Sequence, residues 1–425
     1  MTKRYRSSFP CQAPRVGSIR IELPTPVLGA FIDTRAAFHE LCIQTGQEVL
    51  VAMMEADREA LCGVKGRHQP ERGAWRAGSV GSRVTLGGRQ IELPRLRVRD
   101  AEGECSLSSF RWAAARDPLN AHTVDAIAAG VSTRKYPRTL DPLPAGMAEY
   151  AISRSDVSRR FVALSTARMH AFLSRPLHKL DIRVVFIDGK VFREHCMLVA
   201  LGLDAKGRKH VLGLREGSTE NATVATELIA DLIERGLTAE RALLFVIDGA
   251  KALRKAIREV YGDLGLVQRC QVHKQRNVLE HLPKELHPSI ARALQEAWSA
   301  ESATLAQRQL ERLAGSLERA HPGAAASLRE GLAETLTVQR LGIRGTLART
   351  LATTNPIESL NAAITTFTRN VKRWRGGLMI QRWVSAALQD AEKRLRCVRG
   401  YRDMPHLAAA LDARSPAVTE PTEVA

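Results

Sequence analysis

No Cys-x-x-Cys pair occurs in this chain, and no run of about 18 apolar residues does either. The seven cysteines (Cys11, Cys42, Cys62, Cys105, Cys196, Cys270 and Cys397) are odd in number and scattered. That excludes a disulfide framework and fits free thiols in a reducing cytosol. The missing apolar run excludes a membrane-spanning helix. The opening Met-Thr-Lys-Arg-Tyr-Arg is followed by no apolar segment, so a secretory signal is not expected. Acid is in short supply as well. Lys and Arg number 63 against 45 Asp and Glu, a net charge of +18. Such an excess implies a polyanionic partner, most often nucleic acid, because each neutralised phosphate releases a condensed counterion. A membrane surface and a merely basic protein are the competing readings. Hydrophobic residues make up 44% of the 425, enough for about two to four domains with cores of their own.

Two stretches stand out. Val184-Val185-Phe186-Ile187-Asp188-Gly189 and Leu243-Leu244-Phe245-Val246-Ile247-Asp248-Gly249 are apolar runs that end in Asp-Gly. Runs of this kind read as strands buried in the middle of a sheet. Strands 196–203, 210–214 and 266–270 are expected beside them, with a turn at Lys206-Gly207-Arg208. Helices are expected over 221–235, capped by Ser218 or Thr219, and over 251–261. The layout is α/β with one mixed sheet. Residues 279–345 lack strand patterns and read as all helical, with Trp298 either packed between helices or free to stack on an unpaired base.

Upstream, residues 1–26 read as extended or disordered, 27–62 as a helix and 63–81 as a mobile basic loop. A β-hairpin around Gly87-Gly88 follows, with Pro94 confining its second strand to an edge. This hairpin is either a surface for DNA or a plain β-subdomain. Within 118–135 a helix is expected to end at Gly130, with Ser132-Thr133-Arg134-Lys135 after it. Residues 152–161 have the shape of a helix-turn-helix, with Ser155, Arg159 and Arg160 placed to meet DNA. Downstream, Thr354 or Asn355 caps a helix that carries Glu358 in its first turn. Residues 369–402 hold ten Lys and Arg against Asp390 and Glu392. They read as basic helices, either a solvated face or a phosphate-tracking one, with Arg369, Lys372, Arg373, Trp374 and Arg375 as the DNA-contact candidates. The tail after about 412 is expected to be disordered.

Asp188, Asp248 and Glu358 together form a set of carboxylates able to bind two Mg²⁺, a hard cation that takes oxygen ligands. Two such ions clamp the attacking and leaving oxygens of a phosphoryl displacement. Cys270 and His273 make half a zinc site and no second pair accompanies them. The preferred reading gives His273 a supporting or phosphate contact and Cys270 a packing role.

These motifs resemble the Mutator-type family of bacterial insertion-sequence transposases. The resemblance is carried by Phe186-Ile187-Asp188-Gly189 and Asp248-Gly249. It continues through Gln268-Arg269-Cys270-Gln271-Val272-His273-Lys274-Gln275-Arg276-Asn277-Val278, Asn355-Pro356-Ile357-Glu358-Ser359-Leu360-Asn361 and Thr368-Arg369-Asn370-Val371-Lys372-Arg373-Trp374. It covers roughly 180–402, and Cys270-x-x-His273 is its most specific part. Gly130 to Arg134 and the stretch from Ser153 to Arg159 are similar less specifically.

The resemblance implies an RNase H-like catalytic domain with a DDE triad of Asp188, Asp248 and Glu358. An all-α insertion interrupts that domain, and a mostly helical N-terminal DNA-binding region with a small β-hairpin precedes it. The expected divisions are 1–115, 116–178, 179–280, 281–345, 346–405 and 406–425. Cys270, His273, Lys274, Arg276, Asn277, Asn355 and Asn361 are expected to support the triad or touch DNA. The implied activity is binding of terminal inverted repeats, then strand cleavage and strand transfer with two Mg²⁺, Mn²⁺ serving as a substitute. Terminal repeats and target DNA are the partners, handled by a homodimer or higher assembly in the bacterial cytoplasm at the nucleoid. A nuclease or resolvase that never joins, and a non-catalytic DNA-binding regulator, are the alternatives. Ala225 departs from the family, many of whose members carry tryptophan there.

Overall fold

The apolar run that carries Asp188 occupies the middle of a five-stranded mixed sheet. The computed structural model describes residues 35–67, 73–87, 89–115, 136, 154–217 and 221–415. The chain divides between Phe161 and Val162 into two units.

In the first unit, α1 (Arg35–Cys62) packs on an antiparallel sheet of β1 (Ala74–Leu86), β2 (Arg89–Asp100) and β3 (Gly103–Cys105), and α2 (Ser108–Ala115) follows. The hairpin forms where expected, with Leu86 opposite Arg89 and Val84 opposite Ile91. Gly87 takes a φ of +63°, a conformation that costs a residue with a Cβ. Val84, Leu86, Ile91 and Leu93 are buried with Ile43, Leu50 and Met54 of α1.

The expected loop over 63–81 is strand from Ala74 onward, with Gly81 opposite Pro94 and Ala74 opposite Asp100. Its small and exposed side chains carry no alternating pattern, and backbone pairing alone extends the hairpin. Arg76 is bonded to Glu55 and to the Gly63 carbonyl, and Arg95 and Arg97 to Glu104, so these charges are engaged within the unit. β2 is the central strand. Pro94 is tolerated because β3 pairs only with residues 98–100 and leaves β2 an edge at that point.

The 20-residue helix α3 (Arg154–Leu173) crosses the division. Ser155 and Arg159 are exposed on its first turns, and Arg160 follows on the same helix. The turn expected within 152–161 is not found: residues 154–161 are one continuous helix, because nothing in Arg154–Phe161 breaks it, and residues 152 and 153 lie outside the described residues. So do residues 1–26, the helix expected from 118 to Gly130, Gly130 to Arg134, and the tail beyond 415.

In the second unit, β4 (Ile182–Phe192), β5 (His195–Asp204) and β6 (Lys209–Gly217) form an antiparallel meander. Asp204 Oδ1 fixes its second turn by accepting the N–H groups of Lys206 and Arg208 at 2.9 Å each. Helix α4 (Ala222–Glu234) is capped by Asn221, which accepts the Val224 N–H at 2.9 Å. Ser218 and Thr219, the caps expected from sequence, lie outside the described residues. Strands β7 (Leu243–Ile247) and β8 (Gly265–Arg269), joined by α5 (Lys251–Tyr261), add in parallel and complete the order β6-β5-β4-β7-β8.

The run 184–187 is unbroken because both faces of β4 are covered. Val185 and Ile187 join Leu228, Ile229, Leu253 and Ile257 of α4 and α5 in one core, and Val184 and Phe186 on the opposite face are fully buried too. Ala225 is buried within this core.

After β8 come α6 (Gln271–Leu279), α7 (His287–Trp298), α8 (Ala303–Leu317), α9 (Pro322–Arg329), α10 (Thr337–Arg340) and α11 (Gly345–Leu351). This helical stretch has a core of its own that includes Leu294, Leu310, Leu328 and Leu336. The chain then returns to the sheet. Helices α12 (Asn355–Thr368) and α14 (Met404–Asp412) pack on β4, and α13 (Gly377–Glu392) packs on β6. Among the described residues no helix is long and apolar enough to cross a membrane.

Candidate active site

Strands β4 and β7 run parallel with Phe186 level with Val246. Continuing that register brings Asp188 and Asp248 to the same height. The two are presented differently. Strand β7 stops at Ile247, whereas β4 continues to Phe192 with Val199 opposite Asp188. Asp188 is therefore inside a strand rather than at its end, because its pairing with β5 persists after β7 has stopped. Asp248 sits on the turn into α5, where its Oδ1 accepts the Ala250 N–H at 2.9 Å. Gly249 has a φ of +107°, and a Cβ there would strike the Arg269 side chain. Its glycine is thus required by the turn. Gly189 stays in the strand, and its neighbouring backbone N–H favours the charged form of Asp188.

Helix α12 supplies the third acid. Glu358 lies in its first turn, and Asn361 and Thr365 follow on the same face at helical spacing. Asn361 Nδ2 donates to Asp188 Oδ2 at 2.6 Å, and Lys190 Nζ donates to Thr365 Oγ1 at 2.7 Å. The Asp188 carboxyl is pushed up to about 6, first by burial, then by the charge of Asp248, with Glu358 adding to it. Burial holds the Lys190 ammonium below its ordinary value. The site thus carries negative charge that its own cations do not neutralise.

Thr354 joins this group to the Cys-x-x-His motif. It occupies the cap position without capping the backbone. Instead its buried hydroxyl donates to Glu358 Oε1 at 2.7 Å. The same hydroxyl lies 3.3 Å from His273 Nδ1, from which it can accept, and 3.4 Å from Cys270 Sγ, toward which it is the donor; with one proton to give, it serves Glu358 and Cys270 in turn. Burial would raise the Cys270 thiol, but hydrogen bonds with His273 and Thr354 hold it below its ordinary value. His273 is raised, first by its bond to Cys270 and further by the charges of Asp248 and Glu358.

Other side chains of that motif hold backbone carbonyls of the helical stretch, Arg269 doing so while packed against Gly249. Gln268 and Gln271 each donate to the Thr335 carbonyl at 2.9 Å, and Arg269 donates to that of Glu330 at 2.9 Å. Lys274 is fully buried and bonds the carbonyls of Ser327 and Glu330. Burial lowers its pKa to about 8, with Arg269 adding to the effect. Lys274 therefore does not reach solvent; of the two roles expected for it, support of the triad or contact with DNA, burial leaves no room for the second, and it ties α6 to the end of α9. Arg276 is exposed, Asn277 partly buried, and Asn355 exposed at the start of α12.

Trp298 packs against the helical core and donates its indole N–H to Thr335 Oγ1 at 3.3 Å, the packing role. The basic run is not helical where it is densest. Arg369, Lys372, Arg373 and Arg375 are exposed on the turn and loop between α12 and α13. Trp374 anchors this loop edge-on to Phe192, 5.3 Å between ring centres. Gly376, with a φ of +134°, and the extended residues before it end helical continuity there.

Among the described residues no three His, Cys, Asp or Glu side chains are drawn closely enough together to hold a metal ion as they stand. The donor chemistry is nonetheless of one kind. Asp188, Asp248 and Glu358 offer carboxylate oxygens, and Asn361 Oδ1 is buried without a hydrogen-bond partner. Lys190 takes part here without having been named as a site residue from sequence, as do Thr354, expected only as a cap, and Gln268, Arg269 and Gln271, quoted only within the motif. The available signal for Lys190 was its position two residues from Asp188, on the same face of a strand. For Thr354 it was only the cap position.

Comparison with known proteins gives consistent matches. Residues 30–396 match the profile of the family described as transposase, Mutator family. The transposase for insertion sequence element ISRM5 of Rhizobium meliloti is 30% identical over 327 residues, 75% of this chain and 78% of that one. The transposase for IS6120 of Mycolicibacterium smegmatis is 34% identical over 253 residues, 57% of this chain and 74% of its own. The transposase for IS1081 of Mycobacterium tuberculosis is 26% identical over 393 residues, covering 87% and 91%.

Proposed function

Because the chain belongs to the Mutator family of transposases, we propose that residues 162–425 form an RNase H-like catalytic unit that cuts and joins DNA strands through a DDE triad. Asp188, Asp248 and Glu358 are its acids, and terminal inverted repeats and target DNA its substrates. The sheet order, three antiparallel strands followed by two parallel ones, supports the fold reading. One observation carries the chemistry. Burial and two neighbouring acids push Asp188 up to about 6, an arrangement that costs stability and is useful where a cation is to be taken up.

The three carboxylates and Asn361 Oδ1 would hold Mg²⁺, or Mn²⁺ in its place. Mg²⁺ retains waters and takes phosphate oxygens from substrate, so an open set of donors suits it better than a closed cage. Two bound ions would supply charge stabilisation for the attacking and leaving oxygens of the displacement. The protein's part is positional. β4 and the β7 turn set the spacing of the aspartates. Asn361 fixes the orientation of the Asp188 carboxylate, and Thr354 that of Glu358. Lys190, held by Thr365 beside Asp188, presents an ammonium toward incoming phosphate. The same residues serve hydrolysis, which frees a 3′-hydroxyl, and joining, in which that hydroxyl attacks. Both ends of an element must be handled together, so a homodimer or larger assembly on DNA is proposed, acting in the cytoplasm at the nucleoid.

The test is a cleavage and joining assay on DNA bearing the repeats that flank the gene, with Mg²⁺ or EDTA. Metal-dependent nicks at the repeat tips followed by joined products are expected. Nicks without joining would replace this reading with that of a nuclease. Specific binding without cutting would replace it with that of a regulator.

A further inference from the structure

A second basic surface lies away from the loop that carries Lys372 and Arg373. Helix α5 leaves the site three residues after Asp248 and runs back beside β8, the edge strand of the sheet. Between α5, β8 and α10 lies an open groove of ≈ 700 Å³ lined by six cations, Lys251, Arg254, Lys255, Arg258, Arg340 and Arg414, against the two acids Asp263 and Glu334. Lys251 and Arg254 have carboxylate partners, Glu330 at 3.6 Å and Glu334 at 3.2 Å. Lys255, Arg258 and Arg414 are exposed and form no ion pair among the described residues. Among the described residues the Arg340 side chain donates to the Thr337 hydroxyl, at 3.1 Å. Burial and the neighbouring Arg414 both act against its charge. The groove is thus a concave surface whose cations outnumber the acids that face them. Such a surface selects a polyanion over an apolar ligand.

Its placement indicates which polyanion. The Arg369-to-Arg375 loop connects α12, on β4, to α13, on β6, whereas the groove lies at β8. The aspartates of β4 and β7 stand between the two in the strand order. The 11 residues of α5 span roughly 16 Å, the axial rise of about four or five phosphates of one strand. We propose that this groove binds the phosphate backbone of DNA where it continues past the scissile phosphate, on the side opposite the loop. The inference rests on the catalytic reading for the position of the cut, and it adds a binding surface which that reading does not require.

The experiment uses full-length protein carrying Asp188→Asn, which prevents cutting. Affinity is measured against salt for repeat-end duplexes whose extension beyond the cut is varied on each side separately. The variant Lys255→Gln/Arg258→Gln/Arg414→Gln is expected to lower the log K against log salt slope by about two to three. The loss should appear only with duplexes extended on one side. Lys372→Gln/Arg373→Gln should show its loss with the other side. The charge-keeping Lys255→Arg/Arg258→Lys/Arg414→Lys should retain the slope, which separates lost charge from damaged folding. An unchanged slope at every length, or an equal loss with both extensions, would overturn the proposal. Failure of the wild type to nick repeat ends would instead count against the catalytic reading, and the slope on unspecific duplex would still decide whether the groove carries DNA.

Discussion

Asp188→Asn offers a test in which function and stability move in opposite directions. In the folded protein the Asp188 carboxyl is raised from 3.8 to about 6 by burial and by Asp248. An acid with a raised pKa favours its protonated form in the native state. Its contribution to stability is therefore full below about pH 4 and is lost as pH rises through about 6. At pH 7.5 the charged form costs the metal-free fold about 3 kcal/mol, taking 1.36 kcal/mol per pH unit. Asparagine removes the charge, and its side-chain oxygen can still accept the Asn361 Nδ2 hydrogen now given to Asp188 Oδ2 at 2.6 Å. Because the amide remains buried, a net gain of about 1–3 kcal/mol is expected, or roughly 2–10 °C in melting temperature for a unit of this size. The assay is thermal unfolding of wild type and variant in EDTA at pH 7.5 and at pH 4.5. The gain should be clear at pH 7.5 and shrink to a fraction of itself at pH 4.5. Adding Mg²⁺ should raise the wild-type midpoint and leave the variant nearly unmoved, while the variant no longer nicks DNA. A variant equally stable or less stable at pH 7.5, or a gain independent of pH, would refute the claim that carboxylate repulsion is held in this site.

Thr354→Val removes the hydroxyl that Glu358 shares with His273 and Cys270, a buried loss of about 1–3 kcal/mol. Nicking should slow about 10- to 100-fold, while Thr354→Ser stays within a few-fold of wild type, as single-turnover rates would show. Lys274→Met removes the Lys274 bond from the Ser327 carbonyl and leaves the Glu330 carbonyl with Arg269 alone. Hydrogen exchange should accelerate across 322–336 before it does so in β4 and β7, and uniform protection across both would count against the anchoring role. Gly249→Ala meets both a φ of +107° and the Arg269 side chain. It should destabilise the catalytic unit by about 2 kcal/mol or more in denaturant titrations, whereas Gly189→Ala, within a regular strand, should cost less.

How much was legible in the chain differs from element to element for physical reasons. Strands β4 and β7 declare themselves because burial on both faces demands an unbroken apolar run, and only a few residue types meet that demand. The part of β1 over 74–81 does not, because its pairing is made by backbone groups that every residue has, and its exposed side chains carry no periodicity. The carboxylates were visible as types at strand ends and at a helix start, yet their mutual influence was not. Sequence cannot show that β4 outruns β7 by several residues, and that offset is what places Asp188 in a buried strand rather than on a solvated turn. The stretch from Gln268 to Asn277 shows the limit most clearly. Read as a motif, it looks like one functional unit. Folded, it is two interleaved ones. Cys270 and His273 turn toward Thr354 and Glu358, while Gln268, Arg269, Gln271 and Lys274 hold carbonyls of the helical stretch. A strand and a helix with a single residue between them divide their side chains between two directions, and only the geometry of that junction assigns each residue to one of them. The acids are thereby fastened to the helical stretch through α6, so a shift of that stretch would be felt first at His273 and Thr354, and through them at Glu358.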